Sequence, residues 1–188
     1  MTLVRRPVAV LVGPMGSGKS TIGSALAARC GVGFTDTDHE IEERSGRRIP
    51  EIFAVDGEGV FRRLEAEVVA EVVTTHDGVV SLGGGAVMTQ AVRDALAGHV
   101  VVYLQIGSDT GFARVASSDR PLLADPDPAA RYAELLALRE PTYRDVSTIV
   151  VDAGRPPRVV VDEIVERLPC RAETSDEVVP NPARSEQE

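Results

Sequence analysis

An apolar run, VAVLV at residues 8–12, passes directly into GPMGSGKS at residues 13–20, and no other junction in the chain restricts the fold as much. A β-branched run feeding Gly13, Gly16 and Gly18 and then a helical pattern predicts a strand, a tight glycine loop and a helix in succession. Glycines admit backbone angles closed to other residues, successive N–H groups turn inward, and the helix N-terminus adds partial positive charge. The pattern G-x-x-x-x-G-K-S in that setting makes a nest for an anion. Lys19 would reach the β- and γ-phosphates of a nucleotide, and Ser20 would offer its hydroxyl to magnesium. The plain alternative is a glycine-rich strand-to-helix turn that holds nothing.

Lys19 is the only lysine in 188 residues, against nineteen arginines. A chain that uses arginine elsewhere keeps lysine where a compact point charge serves and a broad planar fork does not, as in a phosphate nest. The same count leaves no lysine for the N-K-x-D element with which a typical GTPase reads guanine.

A net charge of -9 argues against a general nucleic-acid binder, because a polyanion would be repelled. Any anion must be held by a local basic pocket. Residues 172–188 carry -4 of that charge with little apolar content and read as a disordered acidic tail. Cys30 and Cys170 have neither metal-type spacing nor a secretory context, which predicts the reducing cytoplasm. No apolar stretch approaches the length of a membrane span, and no internal repeat is present.

Short β-branched runs alternate with longer helical patterns, the signature of a parallel sheet covered on both faces. After VAVLV and a helix over residues 19–30, VGFTDTD predicts a short second strand ending at its acids. GVVSLGGG supplies a third strand from Val79, HVVVYLQI a fourth ending near Ile106, and VSTIVVD a fifth. Residues 40–73 exceed one crossover: they break at SGRRIPEIF and resume with Phe61, Leu64, Val68 and Val72 at helical spacing. Such an insertion can form a substrate-binding lobe. Residues 1–171 are expected to form one domain, with an insertion at about 37–64 and a lid at about 115–128.

Asp36 and Asp38, two apart at a strand's carboxyl end, would project to one side and face the phosphate crevice, one for a metal and one for a hydroxyl proton. Helix capping is the alternative, since Thr37 and Glu40 fit T-x-x-E. Gly83, Gly84 and Gly85 follow the third strand on the same edge, either admitting a polar ligand to backbone N–H groups or making a tight turn. Ser81 stands where a second metal-binding acid is often found, so magnesium would rest on Ser20 and Asp36 with water and phosphate oxygens. Arg62, Arg63 and Arg139 are candidate anion contacts or solvated faces. Arg120 lies in SSDRPLLADPDP, whose Ser, Asp and Pro content predicts a loop able to close a positive charge over phosphates. His39, His76 and His99 share no ligand spacing.

GPMGSGKSTIG, DTDHEIEERSGRRIPEIFAVDGEGVFRRLE, SLGGGAV, RPLL and R-E-P-T-Y occur in the order and spacing of the shikimate kinase family, and the resemblance covers roughly residues 7–168. It implies an α/β fold of the P-loop NTPase type, nucleoside monophosphate kinase-like, with a five-stranded parallel sheet flanked by helices. It also implies transfer of phosphate from ATP to the 3-hydroxyl of shikimate with Mg2+, in the cytoplasm, by a monomer that engages neither nucleic acid nor membrane. Residue by residue, it implies that Gly16, Ser17, Gly18, Lys19, Ser20 and Thr21 bind the ATP phosphates, with Ser20 on the metal and Asp36 beside it. Asp38 matches the acid that binds the shikimate hydroxyls and acts as base. Arg62 and Arg139 match the pair on the substrate carboxylate, Gly84 a backbone donor flanked by Gly83 and Gly85, and Arg120 the lid arginine. Arg114 joins the ATP contacts. The family's arginine near an Asn-Pro turn over the adenine is replaced by DAGRPPRVV, where Arg155 or Arg158 takes its place. Three other readings stay open: a kinase for another small acid such as gluconate, a nucleoside monophosphate kinase, or an ATP-dependent switch that transfers no phosphate.

Overall fold

The computed structural model describes residues 6–116 and 126–169. Five strands form one parallel sheet: β1 (Ala9–Val12), β2 (Phe34–Asp36), β3 (Val79–Ser81), β4 (Val101–Gln105) and β5 (Ile149–Asp152), in the order β2-β3-β1-β4-β5. Strand β1 lies at the centre, with Leu11 opposite Ser81 of β3 and Val102 of β4. All four of its residues are buried. That position explains the unbroken apolar run: a central strand covered on both faces has no solvent side to mark with polar residues.

Alternate strand residues feed two cores. Val10, Val12, Val80, Leu82, Val101 and Tyr103 pack on one face, whereas Ala9, Leu11, Val79, Val102, Leu104, Ile149 and Val151 pack on the other. The second face is covered by α1 (Lys19–Cys30) and α8 (Pro157–Arg167). The first carries α2 (Thr37–Ser45), α3 (Ile49–Asp56), α4 (Glu58–Thr75), α5 (Gln90–Ala95) and the C-terminal part of α7 (Pro128–Val146). Helix α6 (Ser108–Val115) precedes the undescribed residues 117–125 and packs on α7. Among the described residues no helix is long and apolar enough to cross a membrane.

The insertion expected at about 37–64 is three helices whose stops are written in the sequence. Helix α2 ends at Gly46 in the left-handed conformation (φ 65°), α3 starts with Pro50 in its first turn, and Gly57 (φ 81°) separates α3 from α4. One boundary differs from the sequence reading. Strand β2 stops at Asp36, and Thr37 and Asp38 already belong to α2. The Asp36 side chain accepts from Asp38 N at 3.0 Å and so acts as N-cap, the role the sequence offered to Thr37. Asp36 and Asp38 are therefore not two residues of one strand.

Candidate active site

All five parallel strands end at the same edge, and the glycine loop leaves β1 there. Gly13, Gly16 and Gly18 take φ values of +148°, +81° and +84°. Space also excludes side chains at two of them. A Cβ on Gly13 would stand 2.8 Å from Leu104 O, and one on Gly16 would stand 2.4 Å from Gly111 O. Gly18 caps α1 without a side-chain hydrogen bond, and the first turn contains no acid, so its outward N–H groups suit an added anion. The Lys19 ammonium donates to Gly13 O at 2.9 Å and Pro14 O at 3.0 Å, which holds it over the loop that it serves. Ser17, within the loop, is fully buried, while Ser20 and Thr21 are exposed on the first turn of α1.

Asp36 joins this loop to α2. Its Oδ2 accepts from Ser20 Oγ at 2.9 Å while its Oδ1 holds Asp38 N. A hydroxyl and a carboxylate side by side are hard oxygen donors of the kind magnesium takes, two from protein and the rest from water and phosphate. Among the described residues no cluster of three His, Cys, Asp or Glu offers a fuller protein cage. The pair fits Mg2+ bound jointly with a phosphate chain.

The turn at residues 83–85 runs beside the loop: a Cβ on Gly84 would lie 3.4 Å from Met15 N and 3.6 Å from Gly13 O. One on Gly83 would lie 2.5 Å from Asp38 Oδ1 and 2.9 Å from Glu65 Oε1, and one on Gly85 would lie 2.7 Å from a terminal nitrogen of Arg62. Small residues at these three positions let two acids and a guanidinium close on the backbone. Gly83 N donates to Thr37 Oγ1 at 3.3 Å.

Arg62 sits in a built pocket. It pairs with Glu65 at 2.7 Å and Glu58 at 3.2 Å and lies over the rings of Phe61 and Phe53, 5.3 and 6.0 Å from their centroids. Arg63, its neighbour, faces solvent. Burial pushes the Glu65 carboxyl above its usual range; Arg62, and less strongly Arg139, pull it back, while Asp38 adds to the rise. Arg139, on α7, borders a small cleft with Pro14, Met15, Tyr132, Leu135 and Leu136. One turn further on, Tyr143 is buried, stacks on Tyr103 at 5.1 Å, and donates its hydroxyl to Gly84 O. Burial raises the Tyr143 phenol to about 12, against the pull of Arg139 and Arg62 beside it.

On the other side of the loop, Arg114 of α6 donates to Gly16 O and to Ala153 O, both at 3.2 Å, and so bridges the glycine loop and the segment after β5. Arg155 is engaged by Glu163 and Asp152 O, and Arg158 is exposed at the start of α8. Arg120 lies outside the described residues, as does most of the segment read as a lid.

Of the residues singled out in the sequence, the loop, Asp36, Asp38, Arg62, Arg139 and the three glycines thus meet at one edge. Sequence reasoning missed Glu65, Tyr143 and the hydroxyl of Thr37. Glu65 had a legible signal, since it lies four residues after Phe61 and three before Val68 on the apolar face of α4, where an acid is out of place. Tyr143 had another, at i+4 from Arg139. Ser17 Oγ and Ser81 Oγ are buried without a hydrogen-bond partner among the described residues, and Ser81 is paired in register with Asp36 and Leu11.

A family model described as shikimate kinase matches residues 15–169. A shikimate kinase of Mycobacterium avium (strain 104) is 58% identical over 174 residues, covering 89% of this chain and 99% of the relative. That of Mycobacterium tuberculosis (strain ATCC 25177 / H37Ra) is 56% identical over 164 residues, covering 86% of this chain and 93% of the relative. Among solved structures, a shikimate kinase from Acinetobacter baumannii in complex with shikimate superposes with a TM-score of 0.82 at 35% identity, over 86% of this chain and 92% of the other.

Proposed function

The chain belongs to the shikimate kinase family, and on that premise we propose how its residues divide the phosphorylation of shikimate by ATP. The observation that carries the assignment is the convergence of Asp38, Arg62 and the turn at residues 83–85 on the rim of the glycine loop. An acceptor held there lies next to the phosphate chain held by the loop, the arrangement that in-line transfer requires.

The backbone N–H groups of residues 16–21 and the Lys19 ammonium take the β- and γ-phosphates. Ser20 and Asp36 hold Mg2+, which when bound supplies positive charge against the phosphate oxygens. Arg62 and Arg139 grip the shikimate carboxylate and fix the ring, so that its 3-hydroxyl meets the γ-phosphorus. Glu65 keeps Arg62 aimed, and Gly84 offers a backbone donor, with Gly83 and Gly85 leaving room. The hydroxyl proton passes to an Asp38 carboxylate oxygen as the new O–P bond forms, and the bond from phosphorus to the ADP oxygen breaks. Lys19 stays on the charge that develops. Arg120 closes over the phosphates from the lid, about residues 115–128. Arg114 steadies the nucleotide between the loop and the segment after β5, where Arg155 or Arg158 lies over the adenine.

In this reading residues 1–171 are one kinase domain with its insertion at about 37–64, and the chain works as a cytoplasmic monomer apart from nucleic acid and membrane. Its net negative charge favours that last point. The test is ADP release with magnesium and ATP in the presence of shikimate, gluconate, AMP or no acceptor. Shikimate alone should stimulate turnover strongly. Equal ADP release without an acceptor would replace the kinase with a switch ATPase, and stimulation by gluconate or AMP would move the acceptor class.

A further inference from the structure

The turn at residues 83–85 is held at Gly83 and Gly84 by side chains to which no role has been assigned so far. Thr37 is fully buried although polar, and its hydroxyl oxygen accepts from Gly83 N at 3.3 Å. Tyr143 is 1% exposed, its ring is fixed against Tyr103 at an interplanar angle of 22°, and its hydroxyl donates to Gly84 O. The remaining carbonyls of the turn are also occupied: Gly83 O accepts from Ala86 N and Gly85 O from Met88 N, each at 3.0 Å. The backbone groups of the turn without a bond among the described residues are the N–H groups of Gly84 and Gly85. Gly84 is the one that borders the phosphate loop, and Gly85 the one against Arg62.

We propose that Thr37 and Tyr143 are positioning residues that clamp this turn, so that the amides of Gly84 and Gly85 alone remain to meet a hydroxyl of the acceptor. Three flexible glycines would otherwise sample many orientations, and a donor that must first be ordered binds more weakly than one already fixed. Thr37 gives the clamp a second effect. It stands between Asp36 and Asp38, so its bond to Gly83 sets the distance from the turn to both the metal ligand and the base. The inference deepens the kinase reading above and rests on it for the identity of the acceptor.

The isosteric change Thr37→Val removes the hydroxyl and keeps the shape, Thr37→Ser keeps the hydroxyl, and Tyr143→Phe removes only the phenolic oxygen. In the full chain without ligands, amide hydrogen exchange should find Gly83 protected and Gly84 and Gly85 exchanging fast. Thr37→Val should remove the protection of Gly83, and Thr37→Ser should retain it. With substrates, Thr37→Val and Tyr143→Phe should each raise the KM for shikimate by about tenfold, the size of one lost buried hydrogen bond. The KM for ATP should stay within about twofold, since uniform loss of fold would move both. Cyclohex-1-ene-1-carboxylate carries the carboxylate without ring hydroxyls, so its inhibition constant against shikimate should be unchanged in both variants. An inhibition constant that rises with the shikimate KM would assign the effect to Arg139 and overturn the clamp. So would a Thr37→Ser enzyme as impaired as Thr37→Val, equal increases in both KM values, or unaltered protection of Gly83. If the unmodified chain leaves shikimate unphosphorylated, the kinase reading fails, while the exchange pattern at Gly83 still decides whether Thr37 holds the turn.

Discussion

At the scale of single residues, the site depends on groups whose replacement by a near relative fails for geometric reasons. Lys19 curls back so that its ammonium meets two carbonyls of its own loop at 2.9 and 3.0 Å. A guanidinium is larger and planar, with donors spread over a fork, and cannot occupy that point. Lys19→Arg is therefore expected to lower kcat by about 100-fold or more, as the removal of a transition-state donor does elsewhere. Steady-state kinetics would show it, and near-normal turnover would refute this account of the lone lysine. Arg139→Leu should behave differently, raising the KM for shikimate by roughly 10- to 100-fold through loss of a charged hydrogen bond while the KM for ATP holds. A matching rise in both would place Arg139 outside the acceptor pocket. Much of this site was legible because phosphate recognition is local: residues 13–20 are consecutive, and their spacing alone specifies the nest. The acceptor side was legible only in pieces. Thr37 and Tyr143 act through partners 46 and 59 positions away, at Gly83 and Gly84, and no short window contains both members of such a pair, whereas Glu65 meets Arg62 three residues away and was legible only as an acid on an apolar face.

Among elements, strands β1, β3, β4 and β5 were readable because buried parallel strands are short, β-branched and bounded by turns. The limit of β2 was not, since D-T-D alternates like a strand, and only the side chain of Asp36 turning onto Asp38 N decides that a helix starts there. How close elements approach is also invisible in the sequence. Gly78, between α4 and β3, is a case: a Cβ there would lie 2.0 Å from Gly33 O and 2.6 Å from His76 Nε2. Gly33 O accepts from Val79 N at 2.9 Å and Gly78 O from Val8 N at 2.7 Å, so the backbone cannot yield without loosening β1, β2 and β3 together. Gly78→Ala is expected to cost about 2 kcal/mol or more by overpacking, measured as a lower urea midpoint. The KM values of the folded fraction should be unchanged, because Gly78 lies at the opposite end of the strands from the site. Unaltered stability would mean that the strand ends are looser than their contacts imply.

For the molecule as a whole, the two cores on either face of one sheet give a rigid frame, and its buried phenols give stability an alkaline limit. Burial raises Tyr143 from 10.0 to about 12, so the folded chain keeps a proton that the unfolded chain has lost. Its contribution is complete below about pH 10 and declines as pH rises toward 12. The total is about 3 kcal/mol. Urea unfolding across that interval should show stability falling with pH, and the slope should be shallower in Tyr143→Phe; equal slopes would deny the phenol this role. Asp36, finally, commits one oxygen to Ser20 on the nucleotide side and the other to the first turn of the helix that presents Asp38. The glycine-loop helix and the helix that carries Asp38 thus hang from a single hinge pin, and anyone who re-engineers the chain toward a new alcohol meets that linkage: moving one bank of the crevice drags the other.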